Sequence, residues 1–345
     1  LLAGGEGLTD SDDHGSDSFS STTSASFSVD FVVGAVDGDA TGQKTSAIYG
    51  YGIGLSTSFT GEDSLDVAID AGSGQASLDE ADTNSTTNDQ LIVDGITYTF
   101  PIGEKLTVLV GDSTSGSALY STACAYGGFT NTLDDCGNGN SAFGTNSDGS
   151  VGFSASYDIG GGFTGAIGYV GSGSTTDGLM TEESTDYVGG QLAYTSDNYG
   201  VSLTYASKDD ADTNGVSAET IYYGLNAYWS PSEVGAVPSI SIGVENGDVS
   251  DETGGAADGS SVNRRDTRQW FAGVQWDEAG PGTLGFAYGS AGAIVEDAEQ
   301  LNMYEVFYSY PVNDSMTITP AIFGKETAGA ADDESGFLVK TSFSF

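Results

Sequence analysis

Apolar and polar positions alternate through almost the whole chain. In its last ten residues, "GFLVKTSFSF" over 336–345, Phe337, Val339, Thr341, Phe343 and Phe345 share one parity. Leu338, Lys340, Ser342 and Ser344 share the other. Successive side chains of a β-strand point to opposite faces, so a period of two predicts a strand with two unlike faces. Residues 26–36 repeat the pattern, with Phe27, Val29, Phe31 and Val33 set against Ser26, Ser28 and Asp30. Residues 45–59 set Tyr49, Tyr51, Ile53, Leu55 and Phe59 against Gly50, Gly52, Gly54, Ser56 and Ser58. Residues 149–158, 219–229, 267–277 and 301–310 alternate in the same way, although Phe271 and Phe307 place aromatics on the polar side.

Nine further segments, 64–71, 91–101, 105–111, 162–170, 186–196, 199–207, 238–246, 282–289 and 315–324, bring the expected total to about sixteen strands. Each is close to the ~9–11 residues that cross a bilayer as a tilted strand. The connections alternate as well. Short ones ("TGED" 60–63, "IGEK" 102–105, "IGGG" 159–162, "DN" 197–198, "EAGP" 278–281, "PVND" 311–314) are interleaved with longer acidic Gly/Ser/Thr-rich ones. Phe59, Phe100, Tyr157, Phe163, Tyr199, Trp229, Trp276 and Tyr310 flank the short turns and read as one interfacial girdle. This combination predicts an all-β fold, a transmembrane antiparallel barrel over residues 20–345, preceded by a polar leader at 1–19.

A soluble β-sandwich also alternates, and an acidic, salt-adapted version of one is the competing architecture. The polar face decides against it. That face is Gly, Ser and Thr with scattered Asp, Glu, Gln and Asn, which suits the wall of a watery lumen, while the aromatic face suits lipid. The chain carries 50 acidic and 8 basic residues in 345, a formal net charge of −42. Such a surface repels nucleic acid. An aromatic content of 11% argues against a disordered polyanion. No apolar run is long enough for a transmembrane helix.

Four early stretches, "SFSSTTSASFSVDFVVGAV", "YGIGLSTSFTGEDSLDVAIDAG", "YTFPIGEKLTVLVGD" and "FSASYDIGGGFTGAIGY", resemble cyanobacterial outer-membrane porins of the Som type. These are related to OprB and also carry the "iron uptake porin" label. "NAYWSPSEVGAVPSISIG", "WFAGVQWDEAGPGTLGFAYG" and "YEVFYSYPVNDSMTITPAIF" extend the likeness over 18–345, and "STSFTGEDSL" is its most specific internal part. The resemblance implies a trimeric sixteen-stranded porin of the outer membrane that passes inorganic ions and small nutrients. It also implies that Phe345 is the terminal aromatic read by the barrel-insertion machinery.

Candidate chemistry follows from parity. Asp30, Asp66, Asp70, Glu305 and Lys340 are expected to line the pore, and an ionisable residue at membrane depth is a functional candidate by default. Asp94 falls on the apolar side, where a mid-bilayer charge costs ~2–4 kcal/mol. It is therefore expected at the loop-side rim or on a bulge. The longest connection, 112–148, is expected to enter the lumen as a constriction carrying Tyr120, Tyr126, Phe129, Asp134 and Asp135; an outer lid is the alternative. Cys124 and Cys136 would brace it as a disulfide, which suits an oxidising compartment. Arg264, Arg265 and Arg268 form a basic cluster that either meets lipopolysaccharide phosphates or neutralises nearby loop acids.

No cofactor, resident metal or catalytic set is expected. The one histidine, His14, lies in the leader, and a nucleophile needs a base beside it. "DADTNG" at 210–215 opens like a calcium loop, but its twelfth position is Ile221 rather than glutamate. The expected activity is passive diffusion with cation preference, and the alternative is a non-conducting surface or envelope barrel such as an adhesin or phage receptor.

Overall fold

The computed structural model describes residues 22–38, 44–73, 76–81, 83, 89–136, 151–210, 218–250, 253–255, 261–263, 265–329 and 332–345. The expected leader with His14, the stretch 211–215 and Arg264 lie outside these residues. Sixteen long strands form the fold. In chain order they are β1 (Thr23–Asp37), β2 (Ser46–Thr57), β3 (Ser64–Gly72), β4 (Ile92–Ile102), β5 (Leu106–Asp112) and β6 (Val151–Gly160). Next come β7 (Phe163–Gly171), β8 (Asp186–Thr195), β9 (Tyr199–Asp210), β10 (Ala218–Trp229) and β11 (Ser239–Val249). The last five are β12 (Thr267–Ala279), β13 (Gly282–Ser290), β14 (Asn302–Asn313), β15 (Met316–Lys325) and β16 (Glu334–Ser344).

Each long strand pairs antiparallel with its sequence neighbours, and β1 pairs with β16 to close the sheet. Closure abolishes the unpaired edges that hydrocarbon cannot satisfy. The ladder runs from Ser28↔Ser344 to Asp37↔Ser335. Past Ser344, Phe345 N donates to Phe27 O (3.0 Å) and Phe27 N donates to Phe345 O (2.8 Å), with the two rings stacked 5.8 Å apart. The terminal residue therefore forms part of the seam.

Alternation sets the two faces as the sequence predicts. On β11, Ile240, Ile242 and Val244 are exposed on the outer surface, whereas Ser239, Ser241 and Glu245 are buried inside. Of the predicted girdle, Phe59, Tyr157, Phe163, Tyr199, Trp229 and Tyr310 are exposed near the short turns. A second set of exposed aromatics lies nearer the long loops: Tyr205 beside Tyr223, Tyr288 beside Trp270, then Tyr304 and Phe337. Asp94 is the extra residue of a bulge, since Ala68↔Gly95 is followed directly by Ile69↔Val93. The bulge releases Asp94 from the apolar register, the physical solution to a charge on that face.

The "STSFTGEDSL" turn is organised by Asp63. Its Oδ1 accepts bonds from Ser58 Oγ (2.9 Å), Phe59 N (2.9 Å), Thr60 N (2.7 Å) and Thr60 Oγ1 (2.8 Å). Its Oδ2 accepts from Tyr98 OH on β4 (2.7 Å). The Tyr98 hydroxyl first, then the Thr60 and Ser58 donors, hold this carboxyl well below the usual carboxylate range.

Candidate pore and its constriction

The connection after β5 turns back into the barrel, and its residues 119–130 run along the inner wall. The wall's inward polar side chains take up the loop backbone strand by strand. Leu119 N donates to Ser154 Oγ on β6 (3.1 Å). Ser121 N donates to Gln191 Oε1 on β8 (2.7 Å), and Gln191 Nε2 donates back to Ser121 O (2.9 Å). Asn226 Nδ2 on β10 donates to Thr122 O (2.9 Å). Ala125 N reaches Ser241 Oγ on β11 (2.9 Å), and Gly127 N reaches Gln275 Oε1 on β12 (3.0 Å). An extended chain advances about 3.3 Å per residue and strands lie about 4.8 Å apart, so one to two loop residues per strand keep pace with the wall. Gly168 on β7 must be glycine, because a Cβ there would stand 1.7 Å from Gly116 O of the loop.

The rail ends on Glu305 of β14. Its Oε1 accepts from Tyr126 OH (2.5 Å) and Phe129 N (3.1 Å), and its Oε2 accepts from Thr130 N (2.7 Å). Glu305 points inward but is 0% exposed, so its carboxylate holds the loop. Apolar packing reinforces it. Tyr126 lies 5.3 Å from Phe271 and 5.9 Å from Phe307, centroid to centroid. Phe129, Leu133 and Cys136 join the same buried cluster with Met303, Phe323 and Leu338. The two phenylalanines that break the strand alternation are the floor on which the loop sits. Each such side chain removed from water contributes ~1.5–3 kcal/mol.

A second segment, Ala76–Ala81, enters beside the first. Leu78 and Ala81 pack with Val32, Val36 and Ile48 of the inner wall. Glu80 pairs with Lys325 of β15 (2.6 Å) and accepts from Thr132 N (3.2 Å) and Thr132 Oγ1 (2.9 Å). Lys340 Nζ on β16 donates to Ala81 O (3.1 Å) and lies 5.1 Å from the Phe129 ring centroid. The sequence pattern named Glu305, Tyr126 and Phe129 but not this segment, nor the wall residues Ser154, Gln191, Asn226, Ser241 and Gln275; the only local signal was the misplaced parity of Phe271 and Phe307.

The other predicted residues are placed as follows. Asp30, Asp66 and Asp70 stand on the inner faces of β1 and β3, in register with Gly50, Ser56 and Gly52 of β2. Asp66 accepts from Ser64 Oγ (2.7 Å), and Asp70 is buried. Tyr120 is half-buried, with its amide donating to Ser117 O (2.8 Å). Asp134 N donates to Thr130 O (2.9 Å), and Asp135 lies in the short turn Asp134–Cys136. Cys124 and Cys136 are disulfide-bonded, closing the segment that carries Tyr126, Phe129 and Leu133. Arg265 pairs with Asp297 (3.1 Å), whereas Arg268 is exposed on the outer face, one position before Gln269 of the inner face.

This is a closed, sixteen-stranded antiparallel barrel of the porin type, with an inserted loop on its inner wall. Solved structures share the fold, among them the following three. Pseudomonas putida OprB, in its high-pH structure, is 13% identical with a TM-score of 0.65, covering 94% of both chains. An anion-selective porin from Comamonas acidovorans is 15% identical with a TM-score of 0.65, covering 94% of this chain and 99% of that one. Salmonella typhi OmpF, in complex with daunomycin, is 12% identical with a TM-score of 0.61, covering 94% and 97%. No family model and no curated protein sequence matches the chain.

Proposed function

We propose that this chain is an outer-membrane porin, a passive channel for inorganic ions and small hydrophilic solutes that prefers cations. The observation that carries the reading is the inserted loop. Its hydrogen bonds fall along the wall from β6 to β14, and Asp30 and Asp66 stand on β1 and β3 as an acidic arc outside it. Lys325 is neutralised by Glu80, which leaves the acidic arc as the larger charge along the passage. Field lines in a low-dielectric pore focus on such charges. Expected in a planar bilayer under a salt gradient are discrete conductance steps and a reversal potential of cation-preferring sign. Clear anion preference would remove the selectivity reading, and absence of conductance would favour a structural barrel. The sequence likeness to the Som type supports placing the chain among those porins. It also supports a homotrimer and a role for Phe345 in recognition by the insertion machinery. The exposed Arg268, near Trp270 on the outer face, fits contact with lipopolysaccharide phosphates.

A further inference from the structure

One level of the inner wall carries a row of three hydroxyls and an ammonium with no hydrogen bond to loop 112–148 among the described residues. Thr283 of β13 is in register with Ser309 of β14, and Thr319 of β15 is in register with Lys340 of β16. Thr319 Oγ1 donates to Ser309 Oγ (3.2 Å), which joins the two pairs, Thr283 Oγ1 donates to Asp277 O (3.4 Å), and the Ser309 hydroxyl proton is left to face the recess. Four neighbouring strands thus present three hydroxyls and one ammonium side by side, at the ~4.5–5.5 Å spacing of directly opposed residues. The row lines a recess of about 240 Å³ whose other wall is the loop at Gly127, Gly128 and Phe129.

We propose that this recess is a transit site for a small oxyanion of phosphate size, bound to Lys340 with Thr319 and Ser309. The inference rests on the channel reading. An ammonium has three N–H donors. One of those on Lys340 goes to Ala81 O, and Lys340 forms no ion pair among the described residues. The rings of Phe129 and Phe307 are buried, so no aromatic face is offered to a sugar. Two acids limit affinity. Asp277, at the Thr283 end, is engaged by Gln275 Nε2 (2.6 Å), and Asp30 lies diagonal to Lys340, in register with Ser342. Weak occupancy is what a conducting site needs, because a solute that enters must also leave.

The test uses inorganic phosphate. Added to one side of a bilayer in potassium chloride, it is expected to reduce single-channel conductance saturably. Thr319→Val removes a hydroxyl without touching the Lys340–Ala81 contact, and Lys340→Gln removes the charge. Each should weaken the half-blocking concentration by about tenfold or more, as expected for loss of a bond to an anion. Phosphorus-31 line broadening by the folded barrel in detergent reads the same binding without conduction. Broadening that Thr319→Val abolishes, in a barrel that does not conduct, keeps the site and removes the channel. Conduction with no saturable block, or a block equal in wild type and Thr319→Val, overturns the site while leaving the channel intact.

Discussion

Glu305→Gln isolates the end of the loop rail with almost no change of shape. The carboxylate accepts three bonds on two oxygens, from Tyr126 OH, Phe129 N and Thr130 N. Glutamine keeps one acceptor oxygen. In the better rotamer that oxygen serves Tyr126 and Phe129, and the amide then faces Thr130 N, donor against donor. An unsatisfied buried donor costs ~1–3 kcal/mol, and the two surviving bonds lose their charge assistance. The sum is about 3 kcal/mol against the docked state of 126–130. At 1.4 kcal/mol per decade, opening of that segment becomes about a hundredfold more frequent. Hydrogen exchange on the barrel in detergent resolves it. Phe129 and Thr130 amides should lose about two decades of protection, while Ser121 and Ala125, held by Gln191 and Ser241, keep theirs. Bilayer recordings should show added fluctuations above the main conductance level. Unchanged protection at Phe129 and Thr130 would refute the claim that Glu305 holds the loop.

Two other outcomes follow from named contacts. Asp63→Asn should destabilise the barrel at neutral pH, read as a lower temperature for the gel-mobility shift. The carboxyl is depressed in the folded state, so its stabilisation is fully present above the unfolded value of about 4 and fades as pH falls through the lower folded value. The gap between variant and wild type should therefore be constant above about pH 5 and shrink below about pH 4. Replacing Cys124 and Cys136 together by serine removes a restraint worth ~3 kcal/mol in the chain-entropy model, so exchange should rise over 125–135 with barrel melting unchanged.

The strands were legible because lipid and water impose opposite demands on adjacent residues, and Tyr51 beside Gly52 or Ile240 beside Ser241 records them directly. The direction of Asp30, Asp66 and Lys340 followed from the same rule. What covers an inward residue did not. Glu305 and Asp66 share that parity, yet one lies sealed beneath Tyr126 and Thr130 while the other stands on the acidic arc. Parity fixes a residue's face, and burial depends on a loop whose contacts are 35 to 179 residues away in sequence. Gln191, Asn226, Ser241 and Gln275 look like ordinary lumen residues because the wall needs polar groups whether water or a loop backbone meets them. Segment 76–81 was illegible for the same reason, since its partner Lys325 is 245 residues from Glu80. Phe271 and Phe307 were the exception: an aromatic facing a lumen is costly in water, so something apolar had to meet it.

The chain's total charge differs from the charge presented on its inner wall. A net −42 spread over loops and turns is screened within about 8–10 Å at ordinary salt. Inside the barrel the relevant groups are those left over once the loops are docked. Glu80 and Lys325 cancel one another, Glu305 is covered, and Gln275 is bonded at both ends. Glu245 and Asp70 are buried as well, and among the groups named above two unlike features stand out: Asp30 and Asp66 on β1 and β3, and the row from Thr283 to Lys340 on β13 to β16. They meet at the seam, where Val32 of β1 opposes Lys340 and Asp30 opposes Ser342. A cation path along the first, as proposed above, and an anion site at the second would occupy different stretches of one inner wall. The shared fold leaves ion preference open: an anion-selective porin has the same architecture, and in a channel of this fold the few side chains that a docked loop leaves uncovered set the preference.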